Sequence, residues 1–290
     1  MLATRTGGFA VGFRRGWSDW QKDLDGLLKW AKGNGLGVID VGGDADVIGK
    51  KIADAGLKIG TADLRNWREL ISPDTGKRAE AVAKNGEYIK AATAAGARNF
   101  FVVMLPEKAE LPRKENFRYM VESLAALAPV LEKHGGRMVM EGWPGPGALC
   151  CTPETLRATF REVPSKAMGI NYDPSHLIRM GIDPVRFLEE FADRVYHVHG
   201  KDAEILTENQ YEYGSEQPGT FRDAMGFGGW HWRYTIPGHG QMRWTKAFEI
   251  LQGKGYAGAV CVELEDQSFN GTAEGERQGI LAGAKFLEGC

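Results

Sequence analysis

Short apolar segments alternate along the whole chain with longer segments whose apolar residues recur at helical spacing. This alternation is typical of a parallel α/β fold, in which a helix follows each strand. The apolar segments predict eight strands, which begin at Phe9, Gly37, Lys58, Asn99, Arg137, Ala167, Val195 and Ala259. Eight strand–helix units predict a (β/α)8 TIM barrel, and barrels of this length commonly form one domain, here residues 1–290.

Helix boundaries agree with this pattern. The segments 152–163 and 183–194 open with Thr152-Pro153 and Asp183-Pro184, a capping residue followed by a proline in the first turn. An open, doubly wound sheet would show the same alternation of strands and helices. The eight units and the lack of a GxGxxG sequence after the first strand favour the barrel.

One connection is much longer than the others. Residues 203–240, after the seventh strand, are rich in glycine and aromatic residues. Long connections in compact domains are usually functional or disordered, and Trp230, Trp232 and Tyr234 argue against disorder. We therefore expect a long loop insertion that is ordered.

Composition narrows the range of functions. The 36 basic and 38 acidic residues give a formal net charge of -2, so nothing in the overall charge attracts nucleic acid or an anionic membrane. Four cysteines without a CxxC spacing indicate reduced thiols. The first residues lack the apolar core of a secretory signal, and no apolar run is long enough to span a membrane. The expectation is a cytoplasmic enzyme with a small-molecule substrate and no membrane or nucleic-acid partner.

Charged residues stand where three of the predicted strands end. Glu141, Asp173 and Glu263 each follow an apolar run directly, and the seventh strand adds His199. Catalytic residues of barrels lie at the carboxyl ends of the strands, so these side chains should converge. Converging carboxylates repel one another unless their pKa values rise or a cation binds. Three carboxylates and an imidazole suit one divalent metal ion, Mn2+, Mg2+, Co2+ or Zn2+.

The alternative is that these acids form a salt-bridge network with Lys201 and nearby arginines. The period of two along a strand places His197, His199 and Lys201 on one face. His197 lies one layer deeper than His199 and is interpreted as a hydrogen-bonded core histidine. His176 follows Asp173 by three residues and is a candidate for substrate contact.

Four segments carry a resemblance to a known family: VMEGW, YDPSHL, HVHGKD and PGHGQM followed by GYAGAVCVELED. With them the chain resembles the xylose isomerase-like TIM barrels, particularly the sugar phosphate isomerase/epimerase group that includes the ketose 3-epimerases. The resemblance implies that Glu141, Asp173, His199 and Glu263 bind the metal and that His176 contacts substrate. It also implies that Glu141 and Glu263 serve as the catalytic acid and base of a sugar isomerase or epimerase.

Two departures concern the substrate. The ketose epimerases carry a further glutamate shortly after the ligand of strand five, whereas Gly-Trp-Pro-Gly-Pro-Gly follows Glu141 here. Their arginine beyond the strand-seven histidine is also absent, and Lys201-Asp202 and the insertion stand in its place. These differences leave the predicted metal site intact and put a 3-epimerase activity in doubt.

Aromatic residues suggest a sugar pocket, because aromatic rings cover the C–H faces of pyranoses while the hydroxyls form hydrogen bonds. Alternatively, several of them cap the barrel or line an interface of a homo-oligomer. His239, at the end of the insertion, is a further candidate for substrate contact, as is Lys201. The predicted substrate-binding tryptophans are Trp17, Trp67, Trp143, Trp230 and Trp232.

The region of strands seven and eight is acidic and lacks a basic cluster for phosphate, so an uncharged ketose or keto-sugar derivative is the preferred substrate. A lyase or dehydratase acting on a keto-glycoside and a non-catalytic sugar-binding barrel are the rival functions. The barrel nuclease endonuclease IV needs histidines in its early strands. No histidine precedes His134 here, which argues against that function.

Overall fold

The computed structural model describes all 290 residues and shows a closed barrel of eight parallel strands. Each predicted strand coincides with one barrel strand, so the prediction of a single-domain (β/α)8 barrel is confirmed. The ten strands are β1 (Ala10–Arg14), β2 (Val38–Val41), β3 (Lys58–Asp63), β4 (Asn99–Val103), β5 (Arg137–Glu141), β6 (Met168–Tyr172), β7 (Val195–Gly200), β8 (Asp202–Ile205), β9 (Trp232–Thr235) and β10 (Ala259–Val262). The order around the barrel is β1-β10-β7-β6-β5-β4-β3-β2, and β8 pairs with β9 in a separate sheet.

The helices follow the predicted caps. The hydroxyl of Thr152 accepts from the backbone N–H of Thr155, and the carboxylate of Asp183 accepts from that of Val185, as proposed for the two Pro-opened helices. None of the helices combines the length and apolar composition needed to cross a bilayer. The helices are α1 (Asp19–Lys22), α2 (Leu24–Gly33), α3 (Ala45–Asp54), α4 (Thr75–Ala94), α5 (Arg113–His134), α6 (Pro153–Glu162), α7 (Pro174–Arg179), α8 (Pro184–Phe191), α9 (Thr207–Tyr213), α10 (Trp244–Gly253) and α11 (Ala273–Gly289), with 3-10 turns at Trp67–Ile71 and Ala192–Arg194.

The register of the strands sets the level of the functional side chains. Glu141 on β5 pairs with Asn171 on β6, and Cys261 on β10 pairs with His199 on β7. Glu263 follows the last residue of β10, and its N–H donates to the carbonyl of Gly200 at 3.3 Å. Because all eight strands are parallel, their carboxyl ends lie at one edge of the barrel.

The chain packs as two compact groups of segments, residues 1–38, 173–192 and 198–290 in one and residues 39–172 and 193–197 in the other. In the first group α11 packs against β1 and β10, and α8 packs against α10. In the second group α4 packs against α5, and the hydroxyl of Ser123 on α5 donates to the carbonyl of Leu70 at 2.7 Å. Each group therefore has its own set of helices packed around strands.

The insertion is more regular than the expected loop. Strands β8 and β9 form an antiparallel pair in which Asp202 lies opposite Thr235, and α9 follows β8 directly. Local hydrogen bonding within the insertion therefore adds a two-stranded sheet and a helix to the barrel. Residues 214–231, between α9 and β9, contain no helix or strand.

Asp202 anchors the insertion. Its side chain is fully buried, and its Oδ1 accepts from the backbone N–H groups of Ala203 and Met242, both at 2.9 Å. The indole N–H of Trp244 donates to Oδ2 at 3.1 Å. Burial raises the pKa of Asp202, although these hydrogen bonds oppose the shift. One carboxylate thus ties β8 to the segment that precedes α10.

All four cysteines are buried and none forms a disulfide, in agreement with the reduced-thiol interpretation. Burial raises the pKa of Cys150 to about 12, which keeps it in the protonated, unreactive form.

We predict that Asp202→Ala lowers the free energy of unfolding by about 2–4 kcal/mol, because three buried donors lose their acceptor. Asp202→Asn keeps an acceptor oxygen and should cost less. Urea unfolding followed by circular dichroism measures both changes. The control is Asp223→Ala at an exposed position of the insertion, for which about 0.5 kcal/mol or less is expected. Equal effects of Asp202→Ala and Asp223→Ala would contradict the anchoring role.

Candidate active site

The structure brings together the four predicted metal ligands. Glu141, Asp173, His199 and Glu263 each offer a ligand atom, and these four atoms lie within 4.8 Å of one another. Glu141, Asp173 and His199 are buried, and the side chain of Glu263 is 14% exposed. Four strand ends, those of β5, β6, β7 and β10, therefore contribute one potential ligand each.

Neighbouring groups orient two of the carboxylates. The amide N–H of Asn171 donates to Oε2 of Glu141 at 2.6 Å. Asp173 caps helix α7, because its Oδ1 accepts from the N–H of Ser175 at 2.9 Å and from the hydroxyl of Ser175 at 2.6 Å. The other oxygen, Oδ2 of Asp173, is buried and lies 3.2 Å from Nζ of Lys201 and 3.4 Å from Nε2 of His176.

The salt bridges considered from the sequence are also present. Nζ of Lys201 lies 2.5 Å from Oε2 of Glu263, 2.8 Å from Oε2 of Glu265 and 3.2 Å from Oδ2 of Asp173. Nε of Arg14 lies 3.2 Å from Oε1 of Glu263. Burial by itself would raise the pKa of Glu263, but the charges of Lys201, His199 and Arg14 hold it well below its usual value.

These cations do not balance the acids of the site. Glu141, Asp173, Glu263 and Glu265 supply four carboxylates. Lys201 and Arg14 supply two positive charges, and a protonated His199 would supply a third. A divalent cation would supply the missing charge, and the buried Oδ2 of Asp173 shares the ammonium of Lys201 with Glu263 and Glu265. Carboxylate oxygens with one imidazole also match the donors that Mn2+, Mg2+, Co2+ and Zn2+ accept. The residues therefore fit a divalent metal ion.

The insertion contributes a side chain that was not predicted. The hydroxyl of Tyr234 on β9 accepts from Nη1 of Arg179 and is hydrogen-bonded to Nδ1 of His176, both at 2.7 Å. Since the phenol already accepts from arginine, its own proton is directed at Nδ1 of His176. The ring proton of a neutral His176 then lies on Nε2, which is 3.4 Å from Oδ2 of Asp173. Burial raises the pKa of Tyr234, so the phenol keeps its proton.

His197 is buried in the barrel as expected of a core histidine. Its Nε2 lies 2.9 Å from Oδ2 of Asp40, and the N–H of Thr61 donates to the other oxygen of Asp40 at 2.8 Å. These contacts account for the burial of His197 and Asp40, and neither residue needs a role in substrate binding.

A cavity of about 270 Å³ opens beside Glu263 and is lined by Trp17 and by Phe227 from the insertion. Arg14 lines it too, and like Phe227 it was missed in the sequence. Arg14 is the last residue of β1, so applying the strand-end argument to that strand would have identified it. Phe227 lies inside the insertion and not at the end of a strand, so the strand-end argument could not have identified it.

The other predicted tryptophans and His239 have different surroundings. The indole N–H of Trp230 donates to the carbonyl of Arg222 at 2.8 Å, inside the insertion. The guanidinium of Arg179 lies 4.4 Å from the ring centre of Trp232, and that of Arg68 lies 4.6 Å from that of Trp67. Trp143 follows β5 and is partly buried, and His239 is exposed on a turn.

Comparison with known proteins supports the fold from an independent direction. Residues 21–290 match the family model described as xylose isomerase-like TIM barrel. The solved structure of the 3-keto-D-glucoside 4-epimerase of E. coli superposes with a TM-score of 0.69 and 17% identity, covering 97% of this chain and 100% of that chain. D-psicose 3-epimerase of Clostridium cellulolyticum H10 gives a TM-score of 0.69 and 14% identity over the same shares of the two chains. At these identities the superpositions show the fold alone.

The curated relatives match over shorter segments. The protein YfiH of Bacillus subtilis is 32% identical over 133 residues, which are 45% of this chain and 41% of YfiH. The inosose dehydratase of Geobacillus thermodenitrificans is 28% identical over 152 residues, 52% of this chain and 48% of that enzyme. The matches thus span about half the length of these relatives. Since the family model covers nearly the whole chain, this protein belongs to the xylose isomerase-like TIM barrel family.

Proposed function

We propose that this protein is a divalent-metal-dependent sugar isomerase or epimerase, which moves a proton at a carbon beside the carbonyl of a ketose or keto-sugar derivative. The observation that carries the proposal is the convergence of Glu141, Asp173, His199 and Glu263, with their ligand atoms within 4.8 Å. Such a group of acids is costly to bury without a catalytic or binding role.

Glu141 and Glu263 are the proposed acid and base. Glu141 is the last residue of β5, and Glu263 follows β10. Strands β6 and β7 separate these two strands around the barrel, so the two carboxylates would approach a bound ligand from different sides. One removes the proton from the carbon beside the carbonyl, and the other returns a proton to the substrate. The low pKa of Glu263 keeps the side chain ionised, which is the form that a catalytic base requires.

The bound divalent ion would polarise the substrate carbonyl and so acidify the adjacent C–H. The residues proposed to hold it are Glu141, Asp173, His199 and Glu263. Lys201 holds Glu263 and Asp173 in place, and His176, fixed by Tyr234, presents a ring N–H towards the same site.

The comparisons support a sugar as substrate. Two proteins of the same fold, the 3-keto-D-glucoside 4-epimerase and D-psicose 3-epimerase, are named for epimerisation of sugars. Three acids, Glu263, Glu265 and Glu276, line the cavity. The two arginines Arg14 and Arg15 line it too, so the lining keeps a small excess of negative charge, which favours an uncharged sugar over a phosphorylated one. We propose an uncharged ketose or keto-sugar derivative, with Trp17 and His176 among its contacts.

A dehydratase is the second candidate, because the matched segment of inosose dehydratase is 28% identical. The first step would be the same removal of a proton beside a carbonyl. In elimination the C–O bond at the next carbon then breaks, and its oxygen leaves as water after accepting a proton. The product, an unsaturated ketone in place of an epimer, distinguishes the two reactions.

Proton exchange is the direct test. We expect the Mn2+-loaded protein to introduce deuterium beside the carbonyl of at least one sugar from a panel of ketoses and 3-keto-glycosides in deuterated water, as followed by NMR. The labelled position identifies the carbon, and the product separates epimerisation from elimination. A panel without any exchange, with bound metal verified, would overturn the proposed chemistry.

Glu141→Gln should reduce this exchange by about 10³-fold, because an amide cannot take up the proton. Sugar binding, measured by calorimetry, should persist. The matched control is Glu154→Gln, an exposed glutamate on α6, which should exchange at the wild-type rate. Exchange that survives in Glu141→Gln would remove this residue from the acid–base pair.

Metal binding can be tested without activity. Calorimetric titration of EDTA-treated protein with Mn2+ should give one site, and Asp173→Asn should weaken binding by about 100-fold or more, because it removes a charged ligand oxygen. The amide oxygen can still cap α7, so the fold should be kept. Glu265→Gln, which alters a neighbour of Lys201, should have a smaller effect. Equal Mn2+ affinity in wild type and Asp173→Asn would refute the site.

Tyr234→Phe removes the hydroxyl that holds His176 and keeps the aromatic ring. We expect KM for the sugar identified by exchange to rise about five- to tenfold, the effect of losing one hydrogen bond at a binding residue. The melting temperature should change little. Tyr211→Phe, at an exposed position of α9, is the control and should leave KM unchanged. The positioning role fails if Tyr234→Phe and Tyr211→Phe behave alike.

A further inference from the structure

The cavity beside Glu263 is lined by charged side chains on its buried side and by aromatic side chains on its exposed side. Glu263 and Arg14 form a charged wall on the barrel side, whereas Trp17 and Phe227 provide aromatic rings. These two side chains are 81% and 42% exposed. The volume of about 270 Å³ is at the lower end for a ligand pocket and suits a single sugar ring. Anything attached to that ring would extend to the exposed aromatic residues.

The loop that carries Trp17 is held firmly. Oε2 of Glu276, on the first turn of α11, accepts from the hydroxyl of Ser18 at 2.6 Å, the indole of Trp20 at 2.7 Å and the amide of Gln21 at 3.1 Å. The other end of the Gln21 amide accepts from the N–H of Gly16 at 2.5 Å. Both neighbours of Trp17 are therefore fixed, while its own ring remains in solvent. A large apolar ring that is exposed on an ordered loop is typical of a binding surface.

Phe227 is presented in a comparable way. Its backbone is left-handed, with a φ of 54°, which is unfavourable for a residue with a bulky side chain. The conformation is held because the carbonyl of Phe227 accepts from the N–H of Tyr234 at 2.8 Å and the N–H of Gly228 donates to Met225 at 3.0 Å. The same tyrosine that contacts His176 thus fixes the backbone of Phe227.

The tryptophans of the insertion do not offer such a surface. Trp230 donates its N–H within the insertion, and Trp232 stacks with Arg179 and lies 4.8 Å from the ring centre of Tyr234. Phe221 is fully exposed and is not part of the cavity lining. Among the aromatic residues, Trp17 and Phe227 line the cavity beside Glu263.

We propose that Trp17 and Phe227 form a subsite for the ring-shaped aglycone of a glycoside whose sugar unit occupies the cavity beside Glu263. The inference rests on the proposed function and deepens it by naming the substrate class, an O-glycoside with an apolar or aromatic second ring. Stacking on the two rings selects such a glycoside over the free monosaccharide.

Two probes that differ only in the aglycone test this subsite. Phenyl β-D-glucopyranoside and methyl β-D-glucopyranoside are titrated into the Mn2+-treated protein, and binding is followed by calorimetry and saturation-transfer NMR. We expect the phenyl glucoside to bind about tenfold more tightly, with saturation transferred to its phenyl protons. In Trp17→Ala and Phe227→Ala the ratio of the two dissociation constants should fall to about two or less.

Phe221→Ala is the matched control, because it removes an exposed phenylalanine of the same insertion and should leave the ratio at its wild-type value. Melting temperatures of the three variants verify that each is folded. Equal binding of the two glucosides by the wild type, binding of neither, or a ratio that survives in Trp17→Ala and Phe227→Ala overturns the subsite.

The test of the subsite can succeed or fail independently of the proton-exchange test of the proposed reaction. A phenyl preference without proton exchange on any sugar supports the subsite and removes the enolising reaction. Exchange on monosaccharides without a phenyl preference supports the reaction and overturns the subsite.

Discussion

Electrostatic repulsion among carboxylates dominates the carboxyl edge of the barrel. Glu141, Asp173 and Glu263 offer oxygens within a few ångströms of one another, and burial deprives them of the water that would weaken their repulsion. Lys201 and Arg14 offset part of this charge. The remaining negative charge suits the binding of a divalent cation, and the capping role of Asp173 leaves its other oxygen directed at the other acids.

Lys201 joins the two interpretations that the sequence left open. Its Nζ contacts Glu263, Glu265 and Asp173, so a salt-bridge network exists. The network carries fewer positive than negative charges, and it holds the carboxylates close together. Salt bridges and a bound metal ion are therefore compatible, because both would offset the same negative charge.

The insertion is coupled to the site through few contacts. Asp202 fixes its base by accepting from three buried donors, and Tyr234 on β9 reaches His176 and Arg179. The backbone of Phe227 is bonded to the same strand, because the backbone N–H of Tyr234 donates to the carbonyl of Phe227. The insertion, which lies outside the barrel strands, thus orients His176 and also forms one wall of the cavity.

The sequence by itself was sufficient to determine the eight strands and the strand-end positions of Glu141, Asp173 and Glu263. It also determined the helix caps at Thr152 and Asp183. These features depend on local periodicity and on chain order, both of which a sequence contains. Tyr234, Phe227 and the tie between Glu276 and the Trp17 loop were decided only in the tertiary structure. They depend on which surfaces meet after the insertion and α11 fold back onto the barrel, and contacts between residues such as Ser18 and Glu276, which lie 258 positions apart, leave no periodic signal in the chain.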